Sequence, residues 1–201
     1  MTQRNLIGFP GALAILFIAS TWLSGCSKSY TATTEIAQLD SAYQQVEEAE
    51  VRFNSIDRFN TANFFKHIKS DLEYVQKNYT GEMEFEPAKV LADYRAVTKY
   101  VKDFEHRHTR TKNEIERTKT QLFNLKQALE QGATTDAEGN EISADYVRIH
   151  CEQELRIAQE LISGIDEMID RLKQAEQRYT EVHPQVVDVF AQLGLPYPEG
   201  E

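Results

Sequence analysis

A heptad pattern of apolar residues runs through much of the chain and constrains it to long, packed α-helices. The clearest stretch extends from Val90 to Leu129, where twelve positions follow one another at alternating spacings of four and three residues. Nine of the twelve are apolar, whereas a hydrophobic content of 41% would place about five there. Because this repeat keeps one helix face against its neighbours, the segment predicts a helix of a coiled-coil bundle.

Two further segments carry the same pattern. Between Val147 and Val182, Glu154 is the one charged residue at a repeat position. The first segment, Ile36 to Tyr79, keeps the repeat near both of its ends, but the phase shifts between Asn54 and Asn63. This shift indicates either a stutter within one long helix or a break into two helices.

Glycine, proline and serine residues mark the expected helix boundaries. Gly81 and Gly132 follow the first and second segments and are typical of helix ends. Pro87 suits the first turn of the second helix, and Ser143 can cap the third. Pro184 lacks an amide proton, so the third helix is expected to end or kink near it.

The predicted fold is therefore all-α. It is an elongated antiparallel bundle of three coiled-coil helices, formed by residues 35–201 as one domain. A short C-terminal helix is expected at residues 185–193, followed by an extended tail at residues 194–201.

Three polar residues, His108, Thr111 and Thr118, interrupt the apolar repeat in the middle of the second segment. One interpretation is structural, with threonine methyl groups packed in the core and hydroxyl groups bonded to the preceding helical turn. The other is a water-filled or ligand-contacting waist in the bundle.

The N-terminal segment carries a targeting pattern. Seventeen uncharged residues, Leu6 to Trp22, lead to Leu23-Ser24-Gly25-Cys26. This tetrad resembles the lipobox of bacterial lipoproteins. The resemblance implies that residues 1–25 are a signal peptide, that Cys26 carries lipid, and that residues 26–34 are a tether. An uncleaved membrane anchor and ordinary secretion remain the alternatives.

Serine follows the cysteine at position 27. By the same resemblance, lipoproteins retained in the inner membrane of Gram-negative bacteria have aspartate there. The expected location is thus the cell envelope, and the outer membrane if the organism is Gram-negative.

The charge of the chain restricts its partners. The net charge is -10, and residues 1–25 hold one basic residue, Arg4, and no acidic residue. The mature chain would therefore carry -11, which repels nucleic acids and anionic lipid headgroups. We expect membrane attachment through the lipid anchor and no nucleic-acid partner.

Side chains that could carry chemistry are sparse in this sequence. His106 and His108 are two residues apart and so point to different sides of a helix. His150, Cys151 and Glu154 have a better spacing, but no fourth ligand is visible, and Cys151 occupies a repeat position that suits a small buried apolar residue. The sequence predicts no catalytic residue, no cofactor and no metal site.

The C-terminal region is the candidate surface for a partner. It combines apolar residues with a proline-stiffened backbone, and the candidate contact residues are Val186, Phe190, Leu193, Leu195 and Tyr197. The alternative is a tail folded back over the open end of the bundle.

These observations predict a non-enzymatic, lipid-anchored helical adaptor or spacer for another cell-envelope protein. An alternative is a lipoprotein that contacts peptidoglycan, because the body is similar in layout to the cell-wall-binding lipoproteins of Gram-positive bacteria. A small-molecule or metal-binding module is the third alternative.

Overall fold

The computed structural model describes residues 32–136 and 138–198, except the side chain of Phe59. The predicted signal peptide and Cys26 lie outside these residues. Within them the regular elements are all α-helices, which confirms the predicted all-α class. The five helices are α1 (Thr33–Asn54), α2 (Arg58–Asn78), α3 (Phe85–Val101), α4 (Phe104–Glu130) and α5 (Ala144–Gln192).

Helix α5 contributes to both apolar cores of the described residues. It contains 49 residues, which gives it a length of about 74 Å at the helical rise per residue. Its first half shares one apolar core with α1 and α4. Its second half shares another with α2 and α3. The described part of the chain therefore consists of two helical packing units joined by α5.

Side-chain contacts give the relative directions of neighbouring helices. Lys126 of α4 pairs with Asp40 of α1, and Lys119 Nζ lies 2.8 Å from Glu50 Oε2. The residue number of the α4 partner decreases from 126 to 119 as that of the α1 residue increases from 40 to 50. These two helices are therefore antiparallel. The rings of Phe64 and Tyr179, and those of Tyr74 and Phe190, are 4.5 Å and 5.9 Å apart, so α2 and α5 run parallel.

The predicted boundary residues lie where the helices begin and end. Pro87 is in the first turn of α3, where its missing amide proton is not needed. The hydroxyl of Ser143 accepts a hydrogen bond from the Tyr146 amide over 3.2 Å and caps α5. Gly132 follows α4 with φ +63°, a conformation that glycine adopts without steric cost.

The phase shift in the first segment corresponds to a break into two helices. Helix α1 ends at Asn54, and α2 begins at Arg58. The side chain of Asp57 accepts a hydrogen bond from the Asn60 amide over 2.9 Å, which caps the new helix. Of the two predicted alternatives, the segment therefore has a break into two helices and not a stutter within one helix.

The second segment is also broken, and the prediction of one continuous helix there is wrong. Helix α3 ends at Val101, and α4 begins at Phe104 after Asp103, whose φ is 60°. Both flanking apolar residues stay buried, so the apolar repeat continues across a break in the backbone. The guanidinium of Arg107 donates to two carbonyl groups at the end of α3, at 3.3 and 3.4 Å.

The two breaks lie at the same level of the bundle. Arg58, just after the first break, pairs with Glu105, just after the second, at 2.5 Å. Helix α5 passes this level without interruption.

Of the two predicted alternatives at Pro184, an end of the third helix with a separate short helix after it is wrong, and the other, a kink, stays a prediction. Helix α5 continues to Gln192. Pro184 is on the exposed side of the helix, so the Thr180 carbonyl that it leaves without an amide partner faces water. The buried residues Val182 and Val186 hold the helix in the core on both sides of the proline.

In the described part of the chain, no helix combines the length and apolar character that crossing a bilayer requires.

Candidate functional site

The predicted partner-contact residues lie in or against the second apolar core. Val186 and Phe190 are 0% exposed, so they form no accessible contact surface in this structure. Leu193, Leu195 and Tyr197 are half-buried and pack against the same core. The side chains of Val186 and Phe190 face the core that α5 shares with α2 and α3. The alternative, a tail folded back on the bundle, is the observed arrangement.

A glycine-based cap turns the tail back at the end of α5. Gly194 has φ +67°. The Leu195 amide donates to the Phe190 carbonyl over 2.9 Å, and the Gly194 amide donates to the Ala191 carbonyl over 3.1 Å. These two bonds form a Schellman motif, which directs the following residues against the helix they have just left.

A buried hydrogen-bond cluster then fixes the tail. We call it the Asp71 cluster, and it consists of Asp71, Tyr94, His183 and Tyr197. Asp71 is 2% exposed, and its Oδ2 accepts hydrogen bonds from the hydroxyls of Tyr94 over 2.8 Å and Tyr197 over 3.0 Å. A carboxylate removed from water needs such donors. The cluster thus connects α2, α3, α5 and the tail.

The donor roles within the cluster follow from the number of available protons. The single hydroxyl proton of Tyr197 is directed at Asp71, so its oxygen accepts from His183 Nε2, 2.8 Å away. Burial raises the pKa of Tyr94 and of Tyr197 well above the usual range. Burial also lowers the pKa of His183. At neutral pH both tyrosines therefore remain hydrogen-bond donors, and His183 is neutral.

Sequence reasoning missed Asp71, although a signal for it was present. Asp71 follows Ile68 by three residues and precedes Val75 by four, and both apolar residues are buried. A charged residue at that spacing lies on the buried face of the helix and requires partners.

The polar residues of the second segment separate into different environments. His108 is buried, and its ring stacks on that of Phe53 with 4.3 Å between centroids. Thr118 is buried too, but its hydroxyl has no hydrogen-bond partner among the residues that the structure describes. The expected bond to the preceding turn is therefore absent at Thr118. Thr111 lies on the wall of an open groove between α4 and α5.

The residues considered for metal binding do not converge. Cys151 is buried, and burial raises its pKa to about 11, which favours the thiol over the thiolate. The burial of Cys151 confirms the prediction that it is a small core residue. The His150 ring lies 4.0 Å from that of Tyr146. Across residues 32–136 and 138–198, no three histidine, cysteine or acidic side chains are grouped to hold a metal ion.

No protein family, curated protein or solved structure matches this chain.

Proposed function

We propose that this protein is a non-enzymatic, lipid-anchored helical adaptor or spacer of the bacterial cell envelope. The observation that carries the proposal is the tetrad that ends in Cys26, which comes shortly before α1 begins at Thr33. The seven residues from 26 to 32 span at most about 25 Å when fully extended. Lipid on Cys26 would therefore hold the start of α1 close to the membrane surface.

The proposed architecture for this role is a rod of three helical legs, in which each leg runs antiparallel to the one before it in the chain. Helices α1 and α2 form the first leg, α3 and α4 the second, and α5 the third. The antiparallel contacts of α1 with α4, and the parallel contacts of α2 with α5, support this arrangement. With α5 about 74 Å long, the turn between α2 and α3 and the C-terminal tail would lie far from the membrane.

Metabolic labelling tests the anchor. Cells that express the full chain are grown with labelled palmitate, and the protein is isolated. We expect label on the wild type and on Cys151→Ser, because that thiol is buried, and no label on Cys26→Ser. An unlabelled wild type, or label retained by Cys26→Ser, would remove the proposed anchor.

Crosslinking in intact cells tests the adaptor role. A photoreactive residue replaces Phe85, which is 75% exposed at the start of α3 and would be far from the membrane. The matched control replaces Ile149, which is 51% exposed near the start of α5. We expect a defined protein adduct from position 85 and not from position 149. The same adducts from both positions, or none from position 85, would contradict a partner at the far end.

A further inference from the structure

Helices α4 and α5 leave an open groove between them. Each packs more extensively against α1 than against the other, so the side of this unit opposite α1 remains unfilled. The groove has a volume of about 480 Å³. Leu161, Gly164 and Met168 contribute to its lining, and a Cβ atom built on Gly164 would meet no atom within 4 Å. We call this feature the α4–α5 groove.

The two walls of the α4–α5 groove carry opposite charge. The α4 wall has three basic residues and one acidic residue, whereas the α5 wall has two acidic residues and one basic residue. They are Arg107, Arg110, Arg117 and Glu114 on α4, and Glu160, Glu167 and Arg171 on α5. The groove thus has a net positive wall beside a net negative wall, on a chain whose net charge is -10.

Each wall also presents a charge without an ion-pair partner. Arg171 pairs with Glu167 at 2.5 Å, and Arg117 with Glu114 at 3.9 Å, but both pairs are formed within a single helix. In the part of the chain that the structure describes, Arg110 on α4 and Glu160 on α5 form no salt bridge. Opposite charges on opposite walls are therefore available to a partner.

We propose that the α4–α5 groove is the interface of a two-fold symmetric dimer of this chain. A two-fold axis parallel to α5 places the α4 wall of one protomer against the α5 wall of its partner, and repeats the contact on the other side. Basic then meets acidic in both contacts. An axis perpendicular to the helices within the interface would bring α4 against α4, where the like charges repel.

The charges therefore select both the face and the orientation of the dimer. The rest of the surface carries the excess of acidic residues, which opposes self-association through other faces. Exposed ion pairs within one helix contribute about 1 kcal/mol or less. The arginine and glutamate side chains of the walls can thus exchange partners across the interface at little cost.

A dimer with this axis has both α1 helices beginning at the same end. Two lipid anchors would then enter one membrane, and confinement to that membrane raises the local concentration of the protomers. The statement that both anchors enter one membrane rests on the proposed function, but the proposal of the dimer does not. The palmitate experiment and the dimer experiment can therefore fail separately.

Wall-reversal variants test the dimer by analytical ultracentrifugation of the full chain in detergent at physiological ionic strength. The first variant, Arg110→Glu with Arg117→Glu, makes both walls acidic. The second, Glu160→Arg with Glu167→Arg, makes both walls basic. We expect a wild-type dimer and at least a tenfold higher dissociation constant for each variant.

Two restorations make the test specific. All four substitutions in one chain exchange the walls and should restore the homodimer, and an equimolar mixture of the two variants should form heterodimers. Arg95→Glu changes a charge on an exposed face of α3, outside the groove, and should leave the dissociation constant of the dimer unchanged. Circular dichroism verifies that each variant retains its helix content.

The proposal is overturned by a monomeric wild type, by dimers that survive either reversal, or by a four-substitution chain that remains monomeric.

Discussion

The hydroxyl of Tyr197 donates a hydrogen bond to Oδ2 of Asp71, 3.0 Å away and 126 residues earlier in the chain. The same oxygen accepts from Tyr94. Because Asp71 is almost completely removed from water, these two hydroxyls replace its lost hydration. The tail is therefore part of the packing of α2, α3 and α5, and a surface formed by the tail depends on this carboxylate.

Removing the tyrosine hydroxyls should lower stability in a graded way. We expect Tyr94→Phe to reduce the free energy of unfolding by roughly 1.5 to 3 kcal/mol, the range for a hydrogen bond to a charged group. Tyr197→Phe should cost less, because Tyr197 is only half-buried. Urea denaturation gives both values. Tyr100→Phe is the control, since its hydroxyl has no hydrogen bond within the described residues; an equal loss in Tyr94→Phe and Tyr100→Phe would contradict the assignment.

Pro184→Ala should stabilise the protein. Alanine restores the amide that the Thr180 carbonyl lacks and relieves the contact with the proline ring. We expect a gain of roughly 1 to 3 kcal/mol, because proline is about 3 kcal/mol less favourable than alanine inside a helix. Pro87→Ala is the control, because that proline is in a first turn and packs in the core. Thermal unfolding that shows no gain for Pro184→Ala would indicate that α5 is adapted to its proline.

The apolar repeat predicted which faces are buried better than it predicted where the backbone is continuous. Val101 and Phe104 both occupy repeat positions and are both buried, yet α3 ends and α4 begins between them. The repeat records burial, and a chain can keep burial while one residue, here Asp103, turns through a left-handed conformation. Pro184 shows the converse, because an exposed proline interrupts hydrogen bonding without ending the helix.

The Asp71 cluster was less predictable than the fold. Its members come from three helices and the tail, so their meeting depends on how those elements pack. The sequence predicts Tyr197 as a partner contact from the apolar character of the tail, but the hydroxyl of Tyr197 is what fixes this residue to the bundle. A pattern of spacing along one helix contains no information on such a contact between distant segments.

Mild acid should destabilise the fold through two histidines with lowered pKa values, the buried His108 and the half-buried His183. Burial lowers the pKa of His108, as do the positive charges of Arg58 and Lys112, against the opposing effect of Glu105. Burial likewise lowers the pKa of His183. Above pH about 6.5, the ordinary histidine value, both are neutral in the folded and the unfolded chain. Below it the unfolded chain binds protons first, so the free energy of unfolding decreases towards the lowered folded pKa values.

Urea denaturation at pH 7.5 and 5.5 measures this effect. His108→Phe retains an aromatic ring against Phe53 but cannot bind a proton, so its stability should change less between the two pH values than that of the wild type. Other titrating groups are common to both proteins and cancel in the comparison. An equal change in wild type and variant would show that His108 makes no contribution in this pH window.

The buried carboxylate of Glu154 should be unfavourable at neutral pH. Its Oε2 is buried and has no hydrogen-bond partner in the described part of the chain. Burial raises the pKa of Glu154 despite the nearby positive charge of Arg117. A raised folded pKa means that stability is complete below the unfolded value and is lost as the pH rises through the folded value. Glu154→Gln should therefore raise the free energy of unfolding by roughly 1 kcal/mol at pH 7.5, and this gain should become smaller as the pH is lowered towards 4.5, because the folded wild type binds a proton at Glu154 more readily than the unfolded chain does. Glu152→Gln, on the exposed side of the same helix, should change stability by less than about 0.5 kcal/mol at pH 7.5. A gain for Glu154→Gln that is as large at pH 4.5 as at pH 7.5 would assign the gain to packing and not to charge.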